Sequence, residues 1–314
     1  MHLVLGATGG SGYWAAQKLI ARGERVRLLV RDPSKIPEVA KGERVEAVRG
    51  DALNEEDVRG AAEGASTIFY CVNSPYNLWT RLAVPMLETT ISVAKEVGAK
   101  IVFPGNVYVF GHVNTEFVKE DHPRDPHTKK GKIRVQLERM VDAAWKNDGV
   151  PYTLVRMPDF YGPHVPNPIY ADVFRNALSG KPMPFYGKLD SPFECVYIED
   201  VGEALATAGL DPTTAGESYH LPGIPTTGRE WLTLVAREAG TSPRIRAIPP
   251  FMVGLVGLWN PLAREFHEML YLKRERLLLD GSKYKAKFGK IPQTPYAEGI
   301  KKTLDWFGRN RLAS

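Results

Sequence analysis

Cysteine is nearly absent from this chain: Cys71 and Cys195 are its only two among 314 residues, too few for a disulfide framework or a thiolate metal cluster. Histidines are few as well, and His112, His122 and His127 lack the close, regular spacing of metal ligands, so no metal site is expected. No apolar run approaches the ~20 residues of a membrane span. The most hydrophobic stretch, Phe251 to Trp259, reads as a lid or packed helix, with contact to a membrane surface as the alternative. Excess charge of one sign is also missing. Lys and Arg number 41 against 36 Asp and Glu, a net charge of +5 with the basic residues dispersed, which argues against a nucleic-acid partner. There is no internal repeat and no low-complexity tract. Apolar content of 43% and charged content of 25% are those of an ordinary globular protein, long enough for one large domain or two small ones. The first residues read as a strand rather than a signal segment, so a cytoplasmic location is expected.

Glycine, by contrast, is concentrated where it carries information. The apolar run His2 to Leu5 leads into Gly6, Ala7, Thr8, Gly9, Gly10, Ser11 and Gly12, and a helix-compatible segment follows from Tyr13. A helix starting at such a turn aims unpaired backbone N–H groups and its positive dipole end at one spot, which suits a pyrophosphate. Glycine is needed because a side chain would block the approach of the phosphate. Gly6, Thr8, Gly9, Gly10, Ser11 and Gly12 are therefore candidate cofactor residues.

The next strand, Arg25 to Val30, ends on Arg31-Asp32-Pro33-Ser34-Lys35. A carboxylate at that strand end accepts bonds from the ribose hydroxyls of NAD, whereas an arginine accommodates the 2′-phosphate of NADP. In this register Arg31 holds the deciding position and Lys35 adds charge, so NADP is expected ahead of NAD. Asp32 is the rival, since a shift of one residue favours NAD; its other reading is an Asx turn before Pro33. Asp51 and Ala52 follow a third strand, Arg44 to Val48. Asp51 suits either the adenine amino group or a cap for the helix from Asn54.

Strand patterns near 2–5, 25–30, 44–48, 66–72, 100–103 and 152–155 alternate with helical ones, among them Leu78 to Val97 and Lys130 to Lys146. This alternation predicts an α/β fold, a Rossmann-type doubly wound parallel sheet with a smaller C-terminal substrate-binding lobe. The boundaries read are 1–156 for the nucleotide-binding domain, with a strand and helix near 193–208 returning to it, and 157–192 plus 209–314 for the lobe. Ligands in such sheets bind beyond the carboxyl ends of the strands. The loops there supply Val72, Asn73, Ser74 and Pro158 as candidate cofactor contacts, and Tyr76, Asp159 and Tyr161 as candidate substrate contacts.

The glycine loop, the stretch Arg156 to Pro163 ("R-P-x-x-x-Y-G-P") and the segment Val196 to Ala204 together resemble the extended and atypical branch of the short-chain dehydrogenases/reductases, the NAD-dependent epimerase/dehydratase-like superfamily. The resemblance covers essentially the whole chain. It implies an NAD(P)-dependent enzyme acting on a small molecule, and a homodimer through helices of the sheet domain. Family members such as the sugar epimerases place a serine after strand five and a Y-x-x-x-K pair on the next helix, the tyrosine serving as general acid/base.

This chain departs from that pattern. Asn106 stands at the serine, Lys130 at the tyrosine and Arg134 at the lysine, with Tyr108 in the loop between. The helix residues Lys130-Gly131-Lys132-Ile133-Arg134-Val135-Gln136-Leu137-Glu138, with Gly149-Val150-Pro151-Tyr152-Thr153 after them, resemble the isoflavone-reductase-like and NmrA-like members, where the lysine is the candidate acid/base. Lys129, Lys132 and Arg134 are expected to lower the pKa of Lys130. Lys130, Asn106, Tyr108 and Arg134 are thus the candidate catalytic residues. The leading expectation is an NADP-dependent reductase of a small, hydrophobic carbonyl or conjugated substrate, its pocket drawn from Phe185, Tyr186, Phe193, Phe251, Trp259, Phe266 and Tyr271. The alternatives are a nucleotide-sugar epimerase or dehydratase, and a non-catalytic NADP-binding redox sensor.

Overall fold

The computed structural model describes residues 1–36, 42–165 and 167–311. Its strands are β1 (His2–Leu5), β2 (Val26–Val30), β3 (Val45–Arg49), β4 (Thr67–Tyr70), β5 (Lys100–Asn106), β6 (Tyr152–Met157), β7 (Phe160–Tyr161), β8 (Met183–Phe185), β9 (Pro192–Phe193), β10 (Val196–Tyr197), β11 (Glu217–His220), β12 (Thr226–Thr227) and β13 (Ile245–Ala247). The helices are α1 (Gly10–Ala21), α2 (Glu55–Ala62), α3 (Trp79–Val97), α4 (Lys129–Asp148), α5 (Pro168–Leu178), α6 (Ile198–Leu210), α7 (Gly228–Glu238), α8 (Pro250–Gly257), α9 (Pro261–His267), α10 (Ser282–Phe288) and α11 (Tyr296–Arg311).

Seven strands form one parallel sheet in the order β11-β6-β5-β4-β1-β2-β3. β1 and β4 are buried along their whole length, as strands covered by helices on both faces must be. One apolar layer packs α1 and α6 against the sheet and runs on into the lobe, through Leu19, Phe69, Val155, Leu205 and Trp231. The other, through Leu87, Phe103, Val93 and Val141, packs α2, α3 and α4 on the opposite face. The order reverses between β1 and β4, and this switch point opens the crevice in which the loops after β1 and β4 meet.

The edge strand β11 pairs with β6 in the register Glu217 to Thr153 through His220 to Arg156. The sequence pattern puts every residue from 209 onward in the lobe; these four belong to the sheet instead. Three short pairs, β7–β10, β8–β13 and β9–β12, build the lobe. Among the described residues no helix is long and apolar enough to cross a membrane, and no group of three or more His, Cys, Asp or Glu could hold a metal ion.

Candidate functional site

The glycine loop forms a tight backbone cradle. Gly6 lies at φ +81°, and a Cβ there would sit 2.6 Å from the Cys71 carbonyl oxygen and 2.7 Å from Val72 Cα. A Cβ on Gly12 would sit 2.4 Å from the Gly6 oxygen. Both positions press backbone on backbone, so only hydrogen fits. Gly9 is different: as N-cap of α1 it offers no side-chain cap, and a Cβ would meet only the Gly6 oxygen, at 3.5 Å. The first turn of α1 therefore opens, without a capping side chain, toward the switch-point crevice, which fits a pyrophosphate. Thr8 is exposed at the loop tip, Gly10 packs on Val165 and Ile198, and Ser11 hydrogen-bonds the buried Cys71 thiol.

At the end of β2, Asp32 is the N-cap of a 3₁₀ turn. Its Oδ1 accepts from the Ser34 amide at 3.1 Å and the Ser34 hydroxyl at 2.6 Å, and Lys35 reaches its other oxygen at 3.5 Å. Asp32 thus shapes the turn, and Arg31 beside it is exposed. Lys35 pairs with Asp32 rather than standing ready as a second free charge. Asp51 accepts from the Leu53 amide at 3.0 Å, and the N-cap of α2 is Asn54, which accepts from Glu56 and Asp57. Ala52 is buried, and Asn73 Oδ1 accepts from the Ser74 amide at 2.9 Å. Among the described residues Ser74 Oγ is buried with no partner, an orphaned hydroxyl in the loop after β4 that fits a ligand contact there. Pro158 is buried behind β6.

A polar centre occupies the carboxyl ends of β4, β5 and β6. The Tyr76 and Tyr108 hydroxyls lie 2.6 Å apart. Tyr108 is held by the turn after β5, where Asn106 Oδ1 accepts from its amide at 3.2 Å, so Asn106 shapes backbone. Burial pushes the Tyr76 phenol up to about 12, with Asp159 adding to the rise and Arg134 and Lys273 opposing it. Burial also drives Tyr108 well above the usual phenol range. Both are neutral phenols at physiological pH.

Thr128 caps α4 through a bond from the Gly131 amide, which fixes Lys130 and Arg134, one helical turn apart, on the face toward β5. Lys130 is buried, its ammonium 5.3 Å from the centre of the Tyr76 ring. Its surroundings reverse the expectation from sequence. Expected among cations, it is held by the carboxylates of Glu265 and of Glu268 (3.0 Å), and Glu268 also accepts from the Lys129 and Lys130 amides. Carboxylates, and not neighbouring cations, are thus the charges in contact with this ammonium. Arg134 lies over the Phe103 ring at 4.9 Å and donates to the Pro104 carbonyl.

Asp159 is paired with Lys273 at 2.9 Å, and Lys273 also reaches the Tyr170 hydroxyl at 3.1 Å. Tyr161, a candidate substrate contact by sequence, is fully buried against Phe174, Tyr197 and Trp231 and belongs to the core. The aromatic set expected to line an apolar pocket is dispersed. Phe185 and Phe193 are buried, whereas Phe251 and Trp259 project into solvent. A separate polar cavity of about 430 Å³, lined by Arg124, Arg139, Asp142, Tyr152 and Ser218 among others, lies beside β6 and β11, apart from the phenol pair.

Glu265, Glu268 and Lys273 escape sequence reasoning because they come from far along the chain and carry no local motif. The support behind α4 escapes it too. Arg156, buried, donates to Glu138 at 2.8 Å and to His220 Nε2 at 2.7 Å. Because arginine only donates, Nε2 accepts, and Nδ1–H must donate to the Val118 carbonyl at 3.0 Å. Burial and Arg156 hold His220 well below its usual range, consistent with that neutral form.

The sheet order, the switch-point crevice and the capless glycine turn define a Rossmann-type dinucleotide-binding fold. The model of the NAD dependent epimerase/dehydratase family matches residues 2–221, and the chain belongs to that family. Its similarity runs to nucleotide-sugar enzymes and not to the isoflavone-reductase branch that the α4 residues resemble. It is 25% identical over 231 residues to dTDP-glucose 4,6-dehydratase 1 of Escherichia coli K12, covering 65% of this chain and 59% of that one. It is 28% identical over 175 residues to the dTDP-glucose 4,6-dehydratase of Shigella flexneri, covering 53% and 44%. The chain thus spans about half the length of these curated relatives. The dTDP-glucose 4,6-dehydratase of Streptomyces venezuelae, solved with NAD bound, superposes with a TM-score of 0.82 at 21% identity, covering 99% of this chain and 98% of that one. The UDP-glucuronic acid 4-epimerase of Bacillus cereus, in complex with NAD, gives 0.81 at 18% identity, covering 98% and 99%.

Proposed function

We propose that this chain is an NAD(P)-dependent oxidoreductase acting on a hydroxyl- or carbonyl-bearing carbon of a nucleotide sugar or a similarly polar substrate. The observation that carries this reading is the Tyr76–Tyr108 pair, two neutral phenols 2.6 Å apart where β4, β5 and β6 end. A hydroxyl pair at that separation can pass a proton, and a neutral phenol can give one to an alkoxide as it forms. Tyr108 and Tyr76 replace the missing helix tyrosine in this account. Lys130 and Arg134 act as positioning groups, the nearby ammonium steadying any charge that builds on Tyr76. Asp159 and Lys273 offer a carboxylate and an ammonium to substrate hydroxyls. A bound nicotinamide dinucleotide supplies the hydride chemistry. The glycine cradle, Ser74 and the strand end at Arg31 would hold it, and Arg31 would meet a 2′-phosphate.

A reductase of a small carbonyl compound is the second reading. It is favoured by the exposed position of Arg31, since NADP serves reductions, whereas the polar site and the relatives favour sugar chemistry. The test is to load cofactor-stripped protein with NAD or NADP and incubate it with dTDP-glucose, UDP-glucose, UDP-glucuronate and a panel of simple carbonyls, with products read by mass spectrometry. Turnover of a nucleotide sugar that collapses in Tyr108→Phe supports the proposal. Turnover of simple carbonyls alone moves the assignment to the second reading, and rates unchanged in both Tyr76→Phe and Tyr108→Phe remove the phenol pair from the chemistry.

A further inference from the structure

Helix α8 turns its apolar side outward. Phe251 (71% exposed), Met252, Leu255 (55%), Val256, Leu258 (67%) and Trp259 (78%) all face solvent, while Val253 and Gly257 are buried. At 100° per residue, these six side chains fall within an arc of roughly 160°, the reverse of the pattern of a helix on a water-facing surface. The helix is anchored on α9 through glycines: a Cβ on Gly257 would lie 3.0 Å from Arg264 Cα, and one on Gly254 3.2 Å from the His267 ring.

The stretch of chain that carries this helix has charge of one sign. From Ala239 to Arg264 the chain carries Arg244, Arg246 and Arg264 and no aspartate or glutamate, and all three arginines are exposed. The carboxylates that follow, Glu265 and Glu268, turn to the buried Lys130, while Arg264 and His267 remain on the exposed side of α9. An apolar stripe with a tryptophan at its end and Arg264 beside it, on a stretch of chain charged only by arginines, matches a surface rich in acyl chains beneath anionic headgroups.

We propose that α8 docks this protein on an anionic lipid bilayer, lying in the plane of the headgroups with Phe251, Leu255, Leu258 and Trp259 inserted. The inference stands apart from the proposed reaction. Full-length protein is sedimented with vesicles of phosphatidylcholine alone and of phosphatidylcholine with an equal part of phosphatidylglycerol, at low and high salt. Binding is expected to anionic vesicles, to weaken as salt screens the arginines, and to fall about tenfold or more in Leu255→Asp and in Trp259→Ser. Both variants change exposed side chains and are expected to keep the wild-type melting temperature. A smaller fall is expected in the Arg244→Gln/Arg246→Gln pair. No binding to either vesicle overturns the proposal, as does binding that Leu255→Asp leaves unchanged. A concentration-dependent dimer in sedimentation velocity that Leu255→Asp dissolves, without vesicle binding, also overturns it and assigns the face to a second copy of the chain.

Discussion

The two ends of the candidate site are built by opposite means. The phosphate cradle at β1 and β4 is made of backbone. Gly6, Gly9 and Gly12 lie within seven residues; Gly9 and Gly12 face Gly6 itself, and the partners of Gly6, Cys71 and Val72, are set by pairing of β1 with β4. The proton-handling end at β5 and α4 is made of side chains from three distant parts of the chain, with Lys130 bound to Glu268 across 138 residues. The glycine cradle thus tolerates little change in backbone but needs few partners. The proposed acid/base end keeps its backbone and is tuned by whatever packs over it.

The largest expected effect tests the side-chain end. Tyr108→Phe removes one hydroxyl of the pair, and the single-turnover rate on a nucleotide sugar falls about 10²–10⁴-fold with little change in dinucleotide affinity. Next, Glu265→Gln with Glu268→Gln leaves the buried Lys130 ammonium without a counter-charge. Those carboxylates are 27% and 23% exposed, so the full cost of a broken buried pair is discounted to about 2–3 kcal/mol, read from urea unfolding. Gly12→Ala probes the backbone end. Its methyl group meets the Gly6 carbonyl, and a loss of about 2 kcal/mol with a fall in dinucleotide affinity of about tenfold is expected by denaturation and fluorescence titration.

Glu194 belongs to neither end and gives a reference for both. It is buried with Oε2 unpartnered, and burial pushes its carboxyl up to about 8. Because the folded-state value lies above the unfolded one, its contribution to stability is complete below about pH 4.5 and is lost as pH rises through 8. Wild-type stability should fall by on the order of 2 kcal/mol between pH 5 and 8, and Glu194→Gln should flatten that slope. The smallest effect belongs to the strand end. In Arg31→Ala a preference for NADPH over NADH shrinks by a few-fold, as expected for one exposed ion pair of about 0.5–1 kcal/mol. A preference for NADH in the wild type would shift the specificity away from Arg31.

Much of the sheet is legible in the amino-acid sequence. The runs at 2–5 and 25–30 meet β1 and β2 within one residue, because buried parallel strands leave short, mostly apolar runs, and the run at 44–48 meets the more exposed edge strand β3. The helical pattern from Lys130 to Lys146 is α4, Lys129 to Asp148. A short strand near 217–221 is legible too and is β11, but its place at the edge of the sheet, beside β6, comes from tertiary contact. Tyr161 is hidden for a similar reason, since position after a strand does not say which side a ring faces.

The backbone end follows from residue order: a strand, a glycine turn and a helix in immediate succession leave one local geometry, and with it one class of ligand. Within that end, the bonds from Ser34 to Asp32 appear only in the folded chain. The side-chain end exists only in the folded chain. The spacing of Lys130 and Arg134 fixes that they share a helix face, yet the charge around them depends on α9, and the partner of Tyr108 depends on a loop 32 residues earlier. Local backbone geometry is encoded by neighbours in sequence. The electrostatics of a buried side chain is encoded by neighbours in space, which short-range patterns do not specify.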